Sequence, residues 1–256
     1  MGLGGEGERM STRAVANALR ALEVLASEGP IGLSDLARRM DLSKATLLRV
    51  LRTFEEEGWA EQMQAPDQRW RLAWKAGRMV AQHGADMPVR DAALDVMSRL
   101  QRETTETVHL SVPAGGELVL VERVDSAHEL RPFFPLGTHF TLHGSASGVA
   151  FLASQDDDFI HRLLEQPLHR VTEATPTRPD EVWDKIMATR EAGYSCNVRG
   201  SFSDISSVGA AVTDGRSAVV ATLSVSGASS RMTESRMAEC GPLVAAAARQ
   251  VSAKMA

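Results

Sequence analysis

The stretch from Leu33 to Leu72 constrains the fold of this 256-residue chain more than any other. Within it, apolar residues recur at the spacing of one buried helical stripe. The residues of this stripe are Leu47, Val50, Leu51 and Phe54. Ser43 is a good N-cap for the helix, because its hydroxyl can accept a hydrogen bond from a first-turn N–H group. A shorter amphipathic helix precedes it, and Leu42 in the turn between them can clamp the pair together. The pattern predicts a helix-turn-helix.

The residues after this helical pair predict a β-hairpin. Gly58 suits a left-handed helix C-cap, since it has no Cβ atom. The segments Trp59 to Met63 and Arg69 to Leu72 flank a short turn-forming stretch, as two paired strands would. Alternation along the second strand directs Trp70 and Leu72 towards the core. A helix-turn-helix followed by such a hairpin is a winged helix-turn-helix, and we therefore predict that the chain binds double-stranded DNA.

Nine residues of this region are candidates for contact with DNA. Small and hydroxyl-bearing residues in the first turn let the helix approach a groove, while arginines further along can reach base edges or phosphates. Arginines on the outer face of the hairpin can hold the backbone or the adjacent minor groove. The set is Ser43, Lys44, Ala45, Thr46, Arg49, Arg52, Thr53, Arg69 and Arg71. The alternative is a packed helical pair with solvated arginines; the combination of turn, cap, stripe and basic hairpin favours DNA binding.

The charge is unevenly distributed along the chain. With 28 Lys and Arg against 33 Asp and Glu, the net charge is −5, which argues against a protein that coats nucleic acid indiscriminately. Residues 38 to 52 nevertheless hold five basic residues and one acidic residue, a local charge of +4. A compact basic patch on an acidic chain favours binding at defined sites.

Changes in composition and periodicity predict the domain organisation. Residues 1–10 are expected to be a disordered leader, because they are rich in Gly and Glu and have no apolar run. Residues 11–73 form the predicted DNA-binding domain. Its first helix, 12–27, has a predicted apolar stripe of Val15, Leu19, Leu22, Leu25 and Ala26. Residues 74–87 are interpreted as a linker helix, and 88–256 as a second domain. No secretory signal or membrane span is expected, and two distant cysteines suit the reducing cytoplasm.

The second domain combines hairpins with helices. Strands Val108 to Val112 and Leu118 to Val124 flank a Gly-rich turn, and strands Ile205 to Val212 and Ala218 to Val225 flank Asp214-Gly215, which suits a tight primed turn. Helices are expected at about 145–154, 156–165, 180–192 and 233–253. These elements predict an α+β fold with one antiparallel sheet.

Several separated motifs resemble the isocitrate lyase regulator (IclR) family of bacterial transcription factors. They include Ala18 to Leu25, Ser43 to Thr46, Glu106 to Leu110, Ala146 to Gly148, Arg190 to Tyr194 and Leu223 to Gly227. The resemblance covers nearly everything from Arg13 to Ser252. It implies an N-terminal winged helix-turn-helix, a linker helix and a C-terminal GAF-like domain that binds a small carboxylate effector. It also implies a homodimer or a dimer of dimers, which would read a palindromic operator.

This sequence departs from the family pattern at positions near the implied effector site. Gly148-Val149-Ala150 lacks the lysine of most members, and Asn197 and Gly200 occupy positions where the family has acidic or serine residues. The run Asn197 to Gly200 resembles the branch that regulates catabolism of aromatic acids such as hydroxyphenylpropionate. A glyoxylate or pyruvate specificity is therefore not transferred, and the expected effector is a small, aromatic carboxylate.

The resemblance gives the location of the effector site, and the residues there suit a carboxylate. Alternation along strand 218–226 puts hydroxyls on one face, where they can bind an anion or simply be solvated. Gly144 to Gly148 is expected to open a helix with free N–H groups, Arg199 could add a counter-charge or form a surface ion pair, and the small residues Gly209 to Ala211 could leave room for a ring. The candidate set is Ser145, Ala146, Ser147, Gly148, Asn197, Arg199, Ala211, Ser224 and Ser226. Phe133 and Phe134 could form a wall for a ring, although core packing is favoured.

No catalytic, metal or cofactor site is predicted. Gly144 to Gly148 has the glycine spacing of a nucleophile elbow, but Ala146 stands where that motif requires serine. His139 and His143 are four residues apart on a strand-like segment, where they would lie too far apart to share a metal ion, unlike the same pair on a helix. The sequence predicts a ligand-responsive DNA-binding regulator of a catabolic operon. The alternative is a small-molecule-binding protein or hydrolase in which the helix-turn-helix is incidental.

Overall fold

The computed structural model describes residues 12–64, 66–84 and 87–256. The expected leader, residues 1–10, lies outside the described residues, as do Ala85 and Asp86 at the end of the expected linker helix. The chain divides between Asp86 and Met87 into two compact units. Helices and strands combine in an α+β architecture with an N-terminal winged helix-turn-helix, which confirms the predicted fold class.

The N-terminal unit has three helices, a two-stranded hairpin and a fourth helix. These are α1 (Arg13–Glu28), α2 (Leu33–Met40), α3 (Lys44–Glu56), β1 (Ala60–Gln62), β2 (Trp70–Leu72) and α4 (Trp74–Gly84). Asp41 in the turn between α2 and α3 adopts a left-handed conformation with φ 50°, and Leu42 packs against the core, as predicted. The stripe of α3 buries Leu47 and Leu51 fully. The hairpin closes this core through the fully buried Trp70.

The predicted stripe of α1 is buried only in part. Leu25 is buried and Leu22 packs against the core, as predicted, but Val15 and Leu19 are 55% and 56% exposed. Ala21, which lies outside the predicted stripe, is fully buried. The predicted stripe followed the largest apolar residues, but the core of this unit is closely packed and buries the small side chain of Ala21. α1 therefore keeps two large apolar side chains on its outer surface.

The C-terminal unit is built on one six-stranded antiparallel sheet. Its elements are α5 (Pro88–Thr104), β3 (Thr107–Ala114), β4 (Glu117–Val124), β5 (His139–Phe140), α6 (Ala146–Ala153), α7 (Asp157–Leu164), α8 (Pro179–Ala192), β6 (Ser195–Val198), β7 (Ile205–Thr213), β8 (Val219–Ala228) and α9 (Glu234–Lys254). The strand order is β5-β4-β3-β8-β7-β6, so that β3 and β8 lie at the centre. In the described part of the chain, no helix is long and apolar enough to cross a membrane.

The two faces of this sheet carry different side chains. On one face Val108, Leu110, Val208 and Leu223 pack with α5 and α9 in the larger core of the unit. The opposite face meets α6, and a second core there joins Leu118 with Val149 and Leu152 of α6 and with residues of α7 and α8. Alternation along β3 and β8 brings polar residues to this second face: Thr107, His109, Ser111, Thr222, Ser224 and Ser226.

One of the two predicted hairpin turns has a different geometry. At β3–β4 both Gly115 and Gly116 have positive φ, as a primed turn requires. At β7–β8, however, Gly215 is not in the left-handed region, and Ser217 has the positive φ of 64° instead. The carboxylate of Asp214 accepts hydrogen bonds from the N–H groups of Arg216 and Ala218, both at 2.9 Å. This side-chain capping stabilises a longer loop, and the prediction of a tight primed turn at Asp214-Gly215 was wrong.

Candidate functional site

The first candidate site is the exposed face of α3. All seven α3-region candidates lie at exposed positions: Ser43, Lys44, Ala45, Thr46, Arg49, Arg52 and Thr53. The Ser43 hydroxyl accepts a hydrogen bond from the Thr46 N–H group at 3.1 Å, which makes Ser43 the N-cap. The Thr53 hydroxyl donates to the Arg49 carbonyl at 3.0 Å. Sequence reasoning missed Leu48, which is also exposed on this helix.

Most basic side chains around α3 have acidic partners. Arg38 contacts Asp35 at 2.7 Å, Arg39 contacts Glu28 at 2.6 Å, and Arg52 contacts Glu55 at 2.6 Å. Arg52 also lies over the Trp70 ring, 5.7 Å from its centroid, which restrains it towards the hairpin. Within residues 12–64 and 66–84, Lys44 and Arg49 carry no such ion pair. On α3 itself, the positive charge available to DNA is therefore concentrated on these two side chains.

The hairpin arginines lie on the outer face, but each has a carboxylate beside it. Arg69 forms a two-pronged contact with Asp67, at 2.6 Å on both oxygens, and Arg71 contacts Glu61 at 2.6 Å. The Arg69 guanidinium lowers the pKa of the Asp67 carboxyl, mainly by hydrogen bonding. A phosphate would have to compete with these carboxylates, so the hairpin is less basic than the sequence implies.

The second candidate site is a cavity between α6 and the polar face of the sheet. Its lining residues are His109, Phe134, Phe140, Ser145, Ala146, Ser147, Asn197, Ser201, Phe202, Ile205, Ser207, Ser224 and Ser226. The cavity has a volume of about 360 Å³, including solvent at its mouth, but its interior has room for only about one water molecule. A larger ligand therefore requires a lining side chain to move.

Two of the predicted effector residues hold the cavity together. The Ser145 hydroxyl donates to the Thr141 carbonyl at 2.8 Å and accepts from the Gly148 N–H group at 2.9 Å, as the N-cap of α6. The Asn197 amide donates to the Gly144 carbonyl at 2.7 Å and accepts from the Gly200 N–H group at 2.9 Å. Both side chains are thus engaged within the protein.

Four serine hydroxyls of the lining have no hydrogen-bond partner within the described residues. They belong to Ser147, Ser207, Ser224 and Ser226. Sequence reasoning missed Ser207, although it stands opposite Ser226 in the β7–β8 register. Its signal is the alternation of β7, in which Val208 and Val212 face the other side of the sheet. Together these hydroxyls can donate to a carboxylate without any change in the N-cap.

His109 is a second lining residue that sequence reasoning missed. It is 2% exposed, it stands opposite Ser224 in the β3–β8 register, and its Nε2 atom has no hydrogen-bond partner. Burial, and to a smaller extent the charge of Arg123, lowers the pKa of its imidazole to about 3, so the ring is neutral. The alternation of Thr107, His109 and Ser111 opposite the serine strand could have indicated it.

Aromatic rings cover this cavity. The Phe134 ring stacks on Phe202 with centroids 4.4 Å apart, and it lies 5.3 Å from His109 and 5.5 Å from Phe140. Phe133, by contrast, is exposed beneath the Arg123 guanidinium at 4.0 Å, so the favoured core role holds for Phe134 alone. The cover is therefore an aromatic cluster of Phe134, Phe140 and Phe202, with the imidazole of His109 beside it.

The remaining sequence candidates lie outside the lining. Arg199 is exposed, with φ 58°, and faces separate surface grooves, so it supplies no counter-charge in the cavity. Ala211 lies on the cavity side of β7 but is not a lining residue, and Ala210 faces the opposite core. A Cβ atom at Gly209 would lie 2.9 Å from the Ala146 backbone. The small residues of β7 thus make room for the start of α6, which corrects the expectation that they leave space for a ligand ring.

A winged helix-turn-helix joined to a domain with a polar, ring-covered cavity defines a ligand-responsive DNA-binding regulator. The model of the IclR helix-turn-helix domain matches residues 14–63, and the model of the C-terminal region of the bacterial transcriptional regulator IclR matches residues 82–253. The chain therefore belongs to the IclR family of bacterial transcriptional regulators.

Similar proteins match this chain over nearly their whole length. The transcriptional regulator BhcR of Paracoccus denitrificans is 30% identical over 260 residues, covering 100% of this chain and 91% of that protein. The transcriptional repressor IclR of Escherichia coli is 27% identical, covering 94% of this chain and 89% of the repressor. These relatives are regulators and not enzymes, so the hydrolase alternative is not favoured.

A crystal structure of an IclR homologue from Microbacterium hydrocarbonoxydans, in complex with 4-hydroxybenzoate, has the same fold. It superposes with a TM-score of 0.79 at 22% identity, covering 94% of this chain and 98% of that one. At this identity the likeness is one of fold.

Proposed function

We propose that the chain binds a palindromic operator as a homodimer or dimer of dimers, and that a small carboxylic acid alters this binding. The observation that carries the proposal is the combination, in one chain, of unpaired cations on α3 with a buried cavity of uncommitted hydroxyls. A cytoplasmic location follows, because a regulator must reach chromosomal DNA. Control of a catabolic operon fits a regulator that responds to a small acid.

In this proposal α3 enters the major groove. Arg49 reads a base edge, since it is free to form the two-pronged contact with guanine that specifies sequence. Arg52, Arg69 and Arg71 exchange their carboxylate partners for phosphates and so fix the register. The first turn of the helix, from Ser43 to Thr46, approaches the DNA backbone.

The effector is an acid whose carboxylate is bound by hydroxyls and by the start of α6. Ser147, Ser207, Ser224 and Ser226 supply free donors, and Ser145, Gly148 and Asn197 hold the frame. An aromatic acid is favoured over an aliphatic one, because its ring can replace the Phe134 or Phe202 ring in the cover. The 4-hydroxybenzoate complex of the Microbacterium homologue supports this choice, since a protein of the same fold binds an aromatic acid. The ligand changes DNA affinity only through unequal affinity for two conformations of the assembly.

A DNA-binding assay on the full chain tests the proposal. Fluorescence anisotropy is measured with the DNA upstream of its own gene and with a scrambled duplex, at several salt concentrations. We expect a preference for the native duplex. We also expect the logarithm of the binding constant to fall linearly with the logarithm of the salt concentration. A panel of benzoate, 4-hydroxybenzoate, glyoxylate and pyruvate should include an aromatic acid that shifts the binding curve. Equal binding of both duplexes contradicts the proposed recognition of an operator. A response to the aliphatic acids alone contradicts the proposed aromatic effector.

A further inference from the structure

His109 has an unsatisfied hydrogen-bonding atom inside the cavity. Its Nε2 atom is buried without a partner, while the ring itself lines the cavity beside Phe134. A buried polar atom without a partner is costly, and native structures rarely keep one unless a ligand or water completes it. Two other unpartnered atoms on this sheet face, the hydroxyls of Ser111 and Thr222, belong to residues that do not line the cavity.

The other polar groups of the lining leave this position open. The free hydroxyls of Ser207, Ser224 and Ser226 belong to β7 and β8, and Ser147 belongs to α6. His109 comes from β3, on the other side of β8 from Ser207. Ser224 stands opposite His109 in the register, yet the Nε2 atom of His109 has no partner. A carboxylate held by Ser147, Ser207 and the start of α6 lies on the far side of β8 and leaves this nitrogen open. A ligand with a second polar group would account for it.

We propose that His109 selects effectors that carry a hydroxyl or carbonyl group in addition to their carboxylate. A hydroxyl fits either tautomer of a neutral imidazole, because it can donate to a bare Nε2 atom or accept from a protonated one. A second carboxylate fits less well, since the described lining contains no Lys or Arg. This inference rests on the proposed effector function and narrows its ligand class to hydroxy or oxo acids.

The experiment compares acids that differ by one hydroxyl. Isothermal titration calorimetry of the full chain uses benzoate against 4-hydroxybenzoate, and acetate against glycolate, so that ring preference and hydroxyl preference are separated. Sites built to hydrogen-bond a hydroxyl reject the analogue that lacks it. We expect the hydroxy acid to bind at least about tenfold more tightly in one of the pairs.

Two variants assign this discrimination to His109. His109→Phe keeps a flat ring beside Phe134 but has no nitrogen, and it should reduce the ratio of the two affinities to about one. His109→Gln keeps a hydrogen-bonding group and should retain part of the ratio. Ser111→Ala is the matched control, since it removes a buried, unpartnered hydroxyl that does not line the cavity, and it should leave the ratio unchanged.

The outcomes separate this inference from the proposed function. Acids that bind without discrimination in either pair overturn the role of His109 while leaving the effector function intact. Discrimination that persists in His109→Phe has the same consequence. If no acid of either pair binds the wild-type chain, both the effector class and the role of His109 are overturned.

Discussion

At the scale of single residues, the ion pairs around α3 distinguish its arginines. Arg49 is exposed and has no acidic partner among the described residues, whereas Arg71 already contacts Glu61 at 2.6 Å. We therefore predict that Arg49→Ala weakens binding to the native duplex by about 1 to 3 kcal/mol and relaxes the preference at one base pair. Anisotropy titrations against duplexes with single base-pair changes measure both effects.

Arg71→Ala is the matched control for this prediction. Since Arg71 must give up Glu61 to meet a phosphate, its removal should cost less than about 1 kcal/mol and should affect native and scrambled duplexes equally. A larger and sequence-specific loss at Arg71 than at Arg49 contradicts the assignment of base reading to α3.

The neutral imidazole of His109 predicts how stability depends on pH. Its pKa is about 3 in the folded chain, whereas an unfolded chain has a histidine pKa of about 6.5. Between these values the unfolded state binds the extra proton, so stability is full above about pH 6.5 and falls as the pH is lowered towards 3. At about pH 5 the loss is roughly 2 kcal/mol.

Denaturant unfolding of the wild type and His109→Phe at several pH values tests this. The variant should lack this part of the acid-induced loss, so that the two stability profiles diverge below about pH 6.5. Parallel profiles mean that His109 is not the group that titrates.

At the scale of elements, α6 packs so closely against the preceding loop that Gly148 has no room for a side chain. A Cβ atom at Gly148 would lie 2.3 Å from the Leu142 carbonyl oxygen, a distance that requires the backbone to shift. Gly148→Ala should therefore destabilise the C-terminal unit by about 2 kcal/mol or more, as overpacking does.

Gly77→Ala serves as the control in α4, because the nearest atom to its Cβ would be a Trp74 ring carbon at an ordinary 3.8 Å. In a helix this change should be neutral or stabilising by up to about 1 kcal/mol. Thermal unfolding of both variants gives the comparison, and an unchanged midpoint for Gly148→Ala argues against the tight packing of α6.

The elements themselves follow from local patterns, but their contacts do not. Capping by Ser43 and Ser145 and the alternation of β3 and β8 are encoded within a few residues, so the helices and strands were predictable. The buried face of α1 and the loop at Asp214 depend on which groups meet in the folded unit. Gly209 carried no local sign that the start of α6 would fill the space beside it.

At the scale of the whole molecule, sequence reasoning predicted the cavity residues of β8 but not those of the strands on either side of it. Ser224 and Ser226 were predictable because one strand displays them. His109 lies on β3 and Ser207 on β7, the two strands that flank β8. The order of strands in the sheet brings both residues to the same cavity. Arg199 was chosen for its charge, but it is exposed and lines surface grooves outside the cavity.

Large apolar side chains exposed on the N-terminal unit predict self-association. Val15 and Leu19 on α1 and Trp74 and Met79 on α4 are exposed. We expect a dimer or tetramer by analytical ultracentrifugation, and the double variant Val15→Ser, Leu19→Ser should weaken both assembly and operator affinity. A monomeric wild type with high operator affinity contradicts this.

The most direct test of the whole account measures operator affinity with and without an acid found by calorimetry to bind the chain. We predict that the acid changes the affinity of the wild type for its upstream DNA, and that the double variant Ser224→Ala, Ser226→Ala shows a much smaller ratio between the two conditions. The cavity would then be the place where the ligand acts. An unchanged operator affinity in the wild type at saturating acid, or a full response in the double variant, contradicts the claim that this cavity controls DNA binding.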